Sequence, residues 1–218
     1  TAARQRALHR RFRDHPLPDR DGITFAEDEV LYDLGDTERN FLFIVRGVVK
    51  TGTITDSGRE IIYDIRKEGD IVGEMCALES IRTDRAVALE PTQAIAVPFD
   101  QTMKIVSRYP ALLGALVQAY CSALAEARDQ VNRLACANVE QGLIRVLRTL
   151  ARKYGRSSGE FVEITLYLTQ EELSQMVVAR RERVSTSLNS LRRRGIARYS
   201  PRGRLLLHKS ALEAVRPE

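Results

Sequence analysis

The chain has 218 residues, 44% of them apolar and 29% charged, with a net charge of +5, which suits a globular protein of one large or two ordinary domains and excludes a disordered one. No apolar run approaches the ~20 residues needed to cross a bilayer. The charge is unevenly placed: residues 1–137 hold 18 Lys and Arg against 21 Asp and Glu, whereas residues 138–218 hold 16 against 8. That concentration of positive charge in the last third points to a polyanionic partner for one domain and not the other.

The first twenty residues are rich in Arg but lack the apolar block of a secretory signal, so the expectation is a cytoplasmic protein. From Gly22 to Pro98 short apolar runs, Phe41 to Val45, Val48 to Ile54, Glu60 to Ile65 and Ala86 to Val97, alternate with glycines at 35, 47, 58, 69 and 73. This spacing predicts an antiparallel β-roll or jelly-roll over residues 1–109. Cys76, Cys121 and Cys136 are odd in number and too far apart for a disulfide framework or a tetrahedral zinc site, and are expected to be idle thiols.

After Tyr109-Pro110 the period becomes helical. Leu113, Val117, Tyr120, Leu124, Ala127, Val131, Leu134 and Asn138 follow one another at alternating steps of 4 and 3, a seam that needs a partner helix. Residues 110–137 are therefore expected to be a dimerisation helix, with Leu113, Val117, Tyr120, Leu124, Ala127, Val131 and Leu134 at the interface of a two-fold homodimer.

Residues 138–218 form the remaining domain. A helix from Val139 to Tyr154 ends in a polar turn cluster, Gly155 to Gly159, and Phe161 to Leu168 reads as a strand. Thr169-Gln170-Glu171-Glu172 has the form of a capping box and opens a helix at Gln170. After a tight turn at Val178-Ala179, a second helix runs from about Arg180 to Arg194 and Gly195 stops it. Two helices so joined make a helix-turn-helix, and the hairpin around Ser200-Pro201-Arg202-Gly203 makes its wing. Opposite the apolar Val184, Leu188 and Leu191, the second helix presents Arg181, Glu182, Ser185, Thr186 and Asn189, side chains suited to base edges. The arginines at 192 to 194, with Arg202 and Arg204 of the wing, are placed for phosphates, which position a protein without reading sequence.

Thr169-Gln-Glu-Glu-Leu-Ser-Gln175, Arg181-Glu182-Arg-Val184-Ser-Thr-Ser-Leu188 and Leu191 to Ile196 resemble the Crp/Fnr family of bacterial regulators, and the N-terminal pattern agrees over about Phe25 to Leu207. The resemblance implies an α+β chain: a cyclic-nucleotide-binding-like β-roll, a long dimerisation helix and a winged helix-turn-helix. It implies base contacts from Arg181, Glu182, Ser185 and Thr186, which with Thr169, Gln170, Arg180, Asn189, Arg202 and Arg204 make up the expected DNA-binding set. The partners expected are double-stranded DNA with an inverted-repeat operator, a second copy of the chain and, as a candidate, RNA polymerase. Two departures stand out: Ala179-Arg180 replaces the usual Ser cap, and Thr186 stands where an Arg is frequent.

Glu68-Gly69-Asp70-Ile-Val-Gly73-Glu74 and Arg82-Thr83 resemble a phosphate-binding cassette, which would make Gly73, Glu74, Arg82, Thr83, Ala127 and Arg128 the effector site. Whether the cassette binds or only scaffolds stays open at this point. Cyclic AMP is disfavoured: the loop to Arg82 is short, Asp84 brings a carboxylate towards the phosphate, and Ala127-Arg128 offers no hydroxyls. Arg85 is a rival for the role of Arg82. Haem and iron–sulfur clusters fit worse, for want of a His near Cys76 or an N-terminal cysteine cluster. No metal site and no catalytic constellation is evident, so an enzyme is not expected. The alternative is a cyclic-nucleotide-binding regulatory module without DNA-binding activity, against which the basic second helix argues.

Overall fold

A computed structural model describes residues 22–77, 81–134 and 138–210. The chain divides into two compact units, Thr1–Arg128 and Asp129–Glu218, with the dividing line inside the long helix.

In the first unit β1 (Ile23–Phe25), β2 (Val30–Tyr32), β3 (Asn40–Arg46), β4 (Val48–Ile54), β5 (Glu60–Lys67), β6 (Ile71–Val72), β7 (Arg85–Ala88) and β8 (Thr92–Pro98) form two antiparallel sheets. Their orders are β1-β8-β3-β6 and β2-β7-β4-β5. The run Phe41 to Val45 is continuously apolar because β3 is covered on both faces. Leu42 and Ile44 pack between the sheets with Tyr32, Val49, Val72, Ala86 and Ala94. Phe41 and Phe43 point the other way, into a cluster with Ile71, Cys76, Ile95, Val97, Val106, Leu112 and Leu116. The turn from β3 to β4 depends on Gly47: its φ is +101°, and a Cβ there would lie 2.3 Å from Thr92 Oγ1.

Three elements differ from expectation. The single run expected over Ala86 to Val97 is two strands, β7 and β8. A helix, α1 (Phe99–Arg108), precedes the long helix and packs Val106 inward. A 3₁₀ turn, Glu74–Ala77, follows β6.

The long helix, α2 (Pro110–Leu134), has two apolar faces with different fates. Leu112 and Leu116 are buried on the β-roll, and half-buried Tyr120 packs against the same cluster, its hydroxyl donating to the Glu74 carbonyl at 2.8 Å. Leu113, Val117, Leu124 and Val131 are exposed by 50%, 52%, 56% and 66%. Of the expected seam, Tyr120 lies against the β-roll cluster, while the aliphatic members stand uncovered in the single chain. Ala127 and Arg128 are also exposed; the Leu134 side chain and Cys136 lie outside the described residues. Asn138, expected to end the seam, caps the next helix, its side chain accepting from the Glu140 amide at 2.9 Å.

The second unit comprises α3 (Val139–Tyr154), β9 (Gly155–Ser158), β10 (Phe161–Ile164), α4 (Gln170–Val177), α5 (Arg181–Arg193), β11 (Ala197–Tyr199) and β12 (Leu205–His208). Leu143, Val146, Leu147 and Leu150 of α3 are buried, as are Leu173 and Met176 of α4 and Val184, Leu188 and Leu191 of α5. The sheet runs β11-β12-β10-β9. Gly155 to Ser158, expected to be a turn cluster, is a strand paired antiparallel with β10. Among the described residues no helix is long and apolar enough to cross a membrane.

Candidate functional site

The helix-turn-helix is set by local chemistry. Thr169 Oγ1 accepts from the Glu172 amide at 3.1 Å, and the Glu172 carboxylate accepts from the Thr169 amide at 2.6 Å, completing the capping box. The tight turn closes through Val178, which caps α4 with φ +56° and ψ +41°, a left-handed conformation that β-branched residues seldom adopt. Arg180 then begins α5 without any side-chain cap, as expected from the missing Ser.

Successive residues on a helix are about 100° apart, so Arg181, Glu182, Ser185, Thr186 and Asn189 share the face opposite Val184, Leu188 and Leu191. Arg181, Glu182, Thr186 and Asn189 are exposed and Ser185 is half-buried. The side chains of Arg181 and Glu182 make no hydrogen bond or ion pair among the described residues, leaving their donors and acceptors for a partner. Thr186 Oγ1 donates back to the Glu182 carbonyl at 2.9 Å, which leaves the hydroxyl as an acceptor. Thr169 is exposed but spends its hydroxyl proton on Glu172, and Gln170 is half-buried beside it. In the wing Arg202 is exposed; Arg204 is half-buried, its amide donating to Ser200 Oγ at 3.1 Å.

The arginine triplet that ends the second helix does not act as a set. Arg194 forms an ion pair with Glu140 of α3 and is already engaged. Arg192 lies over the Tyr199 ring and donates to Asn189 Oδ1 at 3.1 Å. Arg183, which the sequence did not single out, and Asn138, expected at the end of the seam, line one recess with Val139, Glu182, Thr186 and Ser187. The capping Asn and the 100° helical step were the available signals.

Two of the cassette residues, Gly73 and Arg82, are in direct contact. Gly73 has φ +83°, and a Cβ there would lie 2.7 Å from Arg82 Nη1. Arg82 is only 3% exposed. Its guanidinium donates to the carbonyls of Gly73 at 2.7 Å and Asn40 at 2.6 Å and stacks 4.2 Å from the Tyr32 ring centre. Glu74 is ion-paired with Arg66, which also pairs with Asp64. Thr83 is exposed, and Arg85 is held by Asp33 at 3.4 Å. The Arg82 guanidinium is turned into the roll, where it satisfies backbone acceptors.

Asp84 is buried beside it and accepts from the Tyr32 hydroxyl at 2.8 Å. Burial raises its carboxyl from 3.8 to about 6, against the lowering effect of the Tyr32 hydrogen bond. Desolvation likewise holds Tyr32 well above its usual value. Burial pushes the Cys76 thiol up as well, so it is not poised as a thiolate. Because folded Asp84 binds a proton more tightly than unfolded Asp84, its contribution to stability falls as pH rises from about 4 to about 6 and is constant above. A shift of about two units corresponds to a loss on the order of 3 kcal/mol. Asp84→Asn is expected to remove that much of the fall in urea-unfolding free energy between those pH values; an identical profile in the variant would contradict the assignment.

Residues 23–109 match the cyclic nucleotide-binding domain family and residues 141–215 the Crp-like helix-turn-helix domain family. The chain belongs to the Crp/Fnr family. Crp/Fnr relatives include the global nitrogen regulator of Synechococcus elongatus, 26% identical over 171 residues, 77% of this chain and 77% of the relative. Another is the CRP-like cAMP-activated global transcriptional regulator of Mycobacterium tuberculosis, 25% identical over 185 residues, 84% of this chain and 83% of the relative. FixK2 from Bradyrhizobium japonicum has the same fold, with a TM-score of 0.77 at 19% identity, covering 90% of this chain and 96% of that one. As a Crp/Fnr protein the chain is a sequence-specific DNA-binding transcriptional regulator, and the module without DNA-binding activity is not favoured.

Proposed function

We propose that the protein acts in the cytoplasm as a homodimer that reads an inverted-repeat operator through α5, under control of an effector other than cyclic AMP. The observation that carries the reading is the exposed face of α5, where the side chains of Arg181 and Glu182 keep every polar group unspent on a helix fixed by a capped partner. A bidentate Arg suits guanine O6 and N7, and a carboxylate accepts from cytosine N4. The exposed stripe Leu113, Val117, Leu124 and Val131 supports pairing through α2. No enzymatic role is assigned; RNA polymerase contact belongs to the same proposal, since an operator-bound dimer acts on transcription through that partner or by blocking it.

The effector proposal follows from the cassette. A cyclic phosphate needs a free guanidinium, and that of Arg82 is committed to two carbonyls while the buried Asp84 carboxyl lies in the same strand-entry segment. Ala127 and Arg128 carry no hydroxyl for a purine. The residues present do not fit a cyclic nucleotide in the manner of a phosphate clamp.

The reading head is tested by a random-sequence binding selection on variants. Arg181→Ala and Glu182→Ala are expected to relax preference at defined positions, each good contact being worth roughly 1–3 kcal/mol of discrimination. Arg204→Ala is expected to weaken all sites about equally and to lower the salt slope by about one. An unchanged motif in Glu182→Ala would overturn the assignment.

A further inference from the structure

The face of α5 that carries the reading head does not stop at Asn189. By the same 100° step Arg192 and Arg193 lie on its continuation, and there Asn189, Arg192, Arg193, Ala197 and Arg198 line an open recess between the end of α5 and strand β11. Arg192, Arg193 and Arg198 make no ion pair among the described residues, in contrast to Arg194, which is neutralised by Glu140. Two of the three are held in place by ring contacts: Arg198 lies 3.8 Å from the centre of the Phe161 ring and Arg192 lies 5.4 Å from that of Tyr199. Aromatic stacking restrains a guanidinium without consuming its hydrogen-bond donors. The recess is thus a cluster of three uncompensated cations, two of them pre-aligned, with Arg192 also donating to Asn189 Oδ1.

Length decides what it faces. The α5 helix has 13 residues, so at 1.5 Å per residue it is about 20 Å long. The major groove is only about 12 Å wide, roughly the rise from Arg181 to Asn189. With Arg181 and Glu182 at base edges, the last turn of α5 and the adjoining β11 overhang the groove wall, which is made of phosphates.

We propose that this recess is a second DNA-backbone site, in which Arg193 and Arg198, flanked by Arg192, clamp phosphates outside the half-site read by Arg181 and Glu182. The inference rests on that reading of α5. Arg198 is the new member: it belongs to a strand, not to the recognition helix, and nothing in its sequence neighbourhood marks it out.

Anisotropy titrations on two duplexes test it, one ending at the outer edges of the selected operator and one extended by about ten base pairs, one helical turn, on each side. Wild-type protein is expected to bind the extended duplex more tightly. On that duplex Arg198→Ala and Arg193→Ala are each expected to weaken binding about eightfold at about 0.1 M salt for each phosphate left without its arginine, with the salt slope reduced by about one. On the short duplex Arg198→Ala is expected to match wild type, and on the extended one Arg198→Lys is expected to retain most of the flank effect. Equal weakening on both duplexes, or none on the extended one, overturns the proposal. If wild-type protein shows no sequence preference at all, the reading head fails and the flank site falls with it; if preference is intact and the flank effect is absent, the flank site alone falls.

Discussion

Val117→Glu combined with Leu124→Glu is expected to convert the protein to a monomer in sedimentation velocity. Both side chains are more than half exposed in the single chain, so charge there costs the folded protomer little. The helix remains seated because its hold on the β-roll comes from Leu112 and Leu116, on another face. Across a two-fold axis, however, the four glutamates meet one another in a space built for aliphatic packing. Without the dimer the second half-site no longer binds intramolecularly, so affinity for an inverted repeat is expected to drop by about 10²–10⁴. Binding of the variant to a single half-site should change little. An intact dimer would show that the uncovered stripe is not the interface.

The second large effect is expected at Arg82. Replacing it by Met leaves the carbonyls of Gly73 and Asn40 without their donor and removes the cation beside buried Asp84. Breaking a buried charged interaction of this kind costs about 3–5 kcal/mol, so a large fall in the unfolding temperature of the β-roll is expected with no ligand present. A guanidinium held out for a phosphate would instead be replaceable with a change within about 0.5 kcal/mol. In the same assay cyclic AMP is expected to leave the wild-type unfolding temperature unchanged. A stable Arg82→Met together with a wild-type protein stabilised by cyclic AMP would restore the ligand role of Arg82.

The two ends of the molecule differ in how far their sequences speak. In the helix-turn-helix the determinants are local: Thr169 and Glu172 cap each other, Gly195 ends α5, and a 100° step separates the buried from the offered face. Those features are visible in the order of residues. The β-roll depends on what packs on what. Phe41 to Val45 reads as a strand, but that both faces are covered follows only from the arrival of α1 and α2. The α1 helix itself is short and follows directly from β8, so its period is lost in the change from strand to helix at Pro98. Gly155 to Ser158 is polar and exposed at every position, and it is a strand only because β10 pairs with it.

Site residues divide in the same way. Arg181 and Glu182 sit where residue type and helical phase place them. The type and spacing of Arg82 suit a phosphate clamp, but which way a guanidinium points is decided by its acceptors, here the carbonyl of Gly73 in the same cassette and that of Asn40, distant in sequence. Tyr120 keeps the heptad spacing, but the hydrogen bond from its hydroxyl to the Glu74 carbonyl cannot be read from that spacing. Arg194 is one of three adjacent arginines and differs from the others in facing Glu140.

Two α5 helices related by a two-fold axis are expected to read successive major grooves about 34 Å apart. A random-sequence selection with the purified wild-type protein tests it most directly. The two-fold arrangement predicts an enriched inverted repeat whose half-sites are centred about 10 base pairs apart, with the strongest preference at the positions that Glu182→Ala relaxes. Enrichment of a single asymmetric half-site, or of no motif, would contradict it.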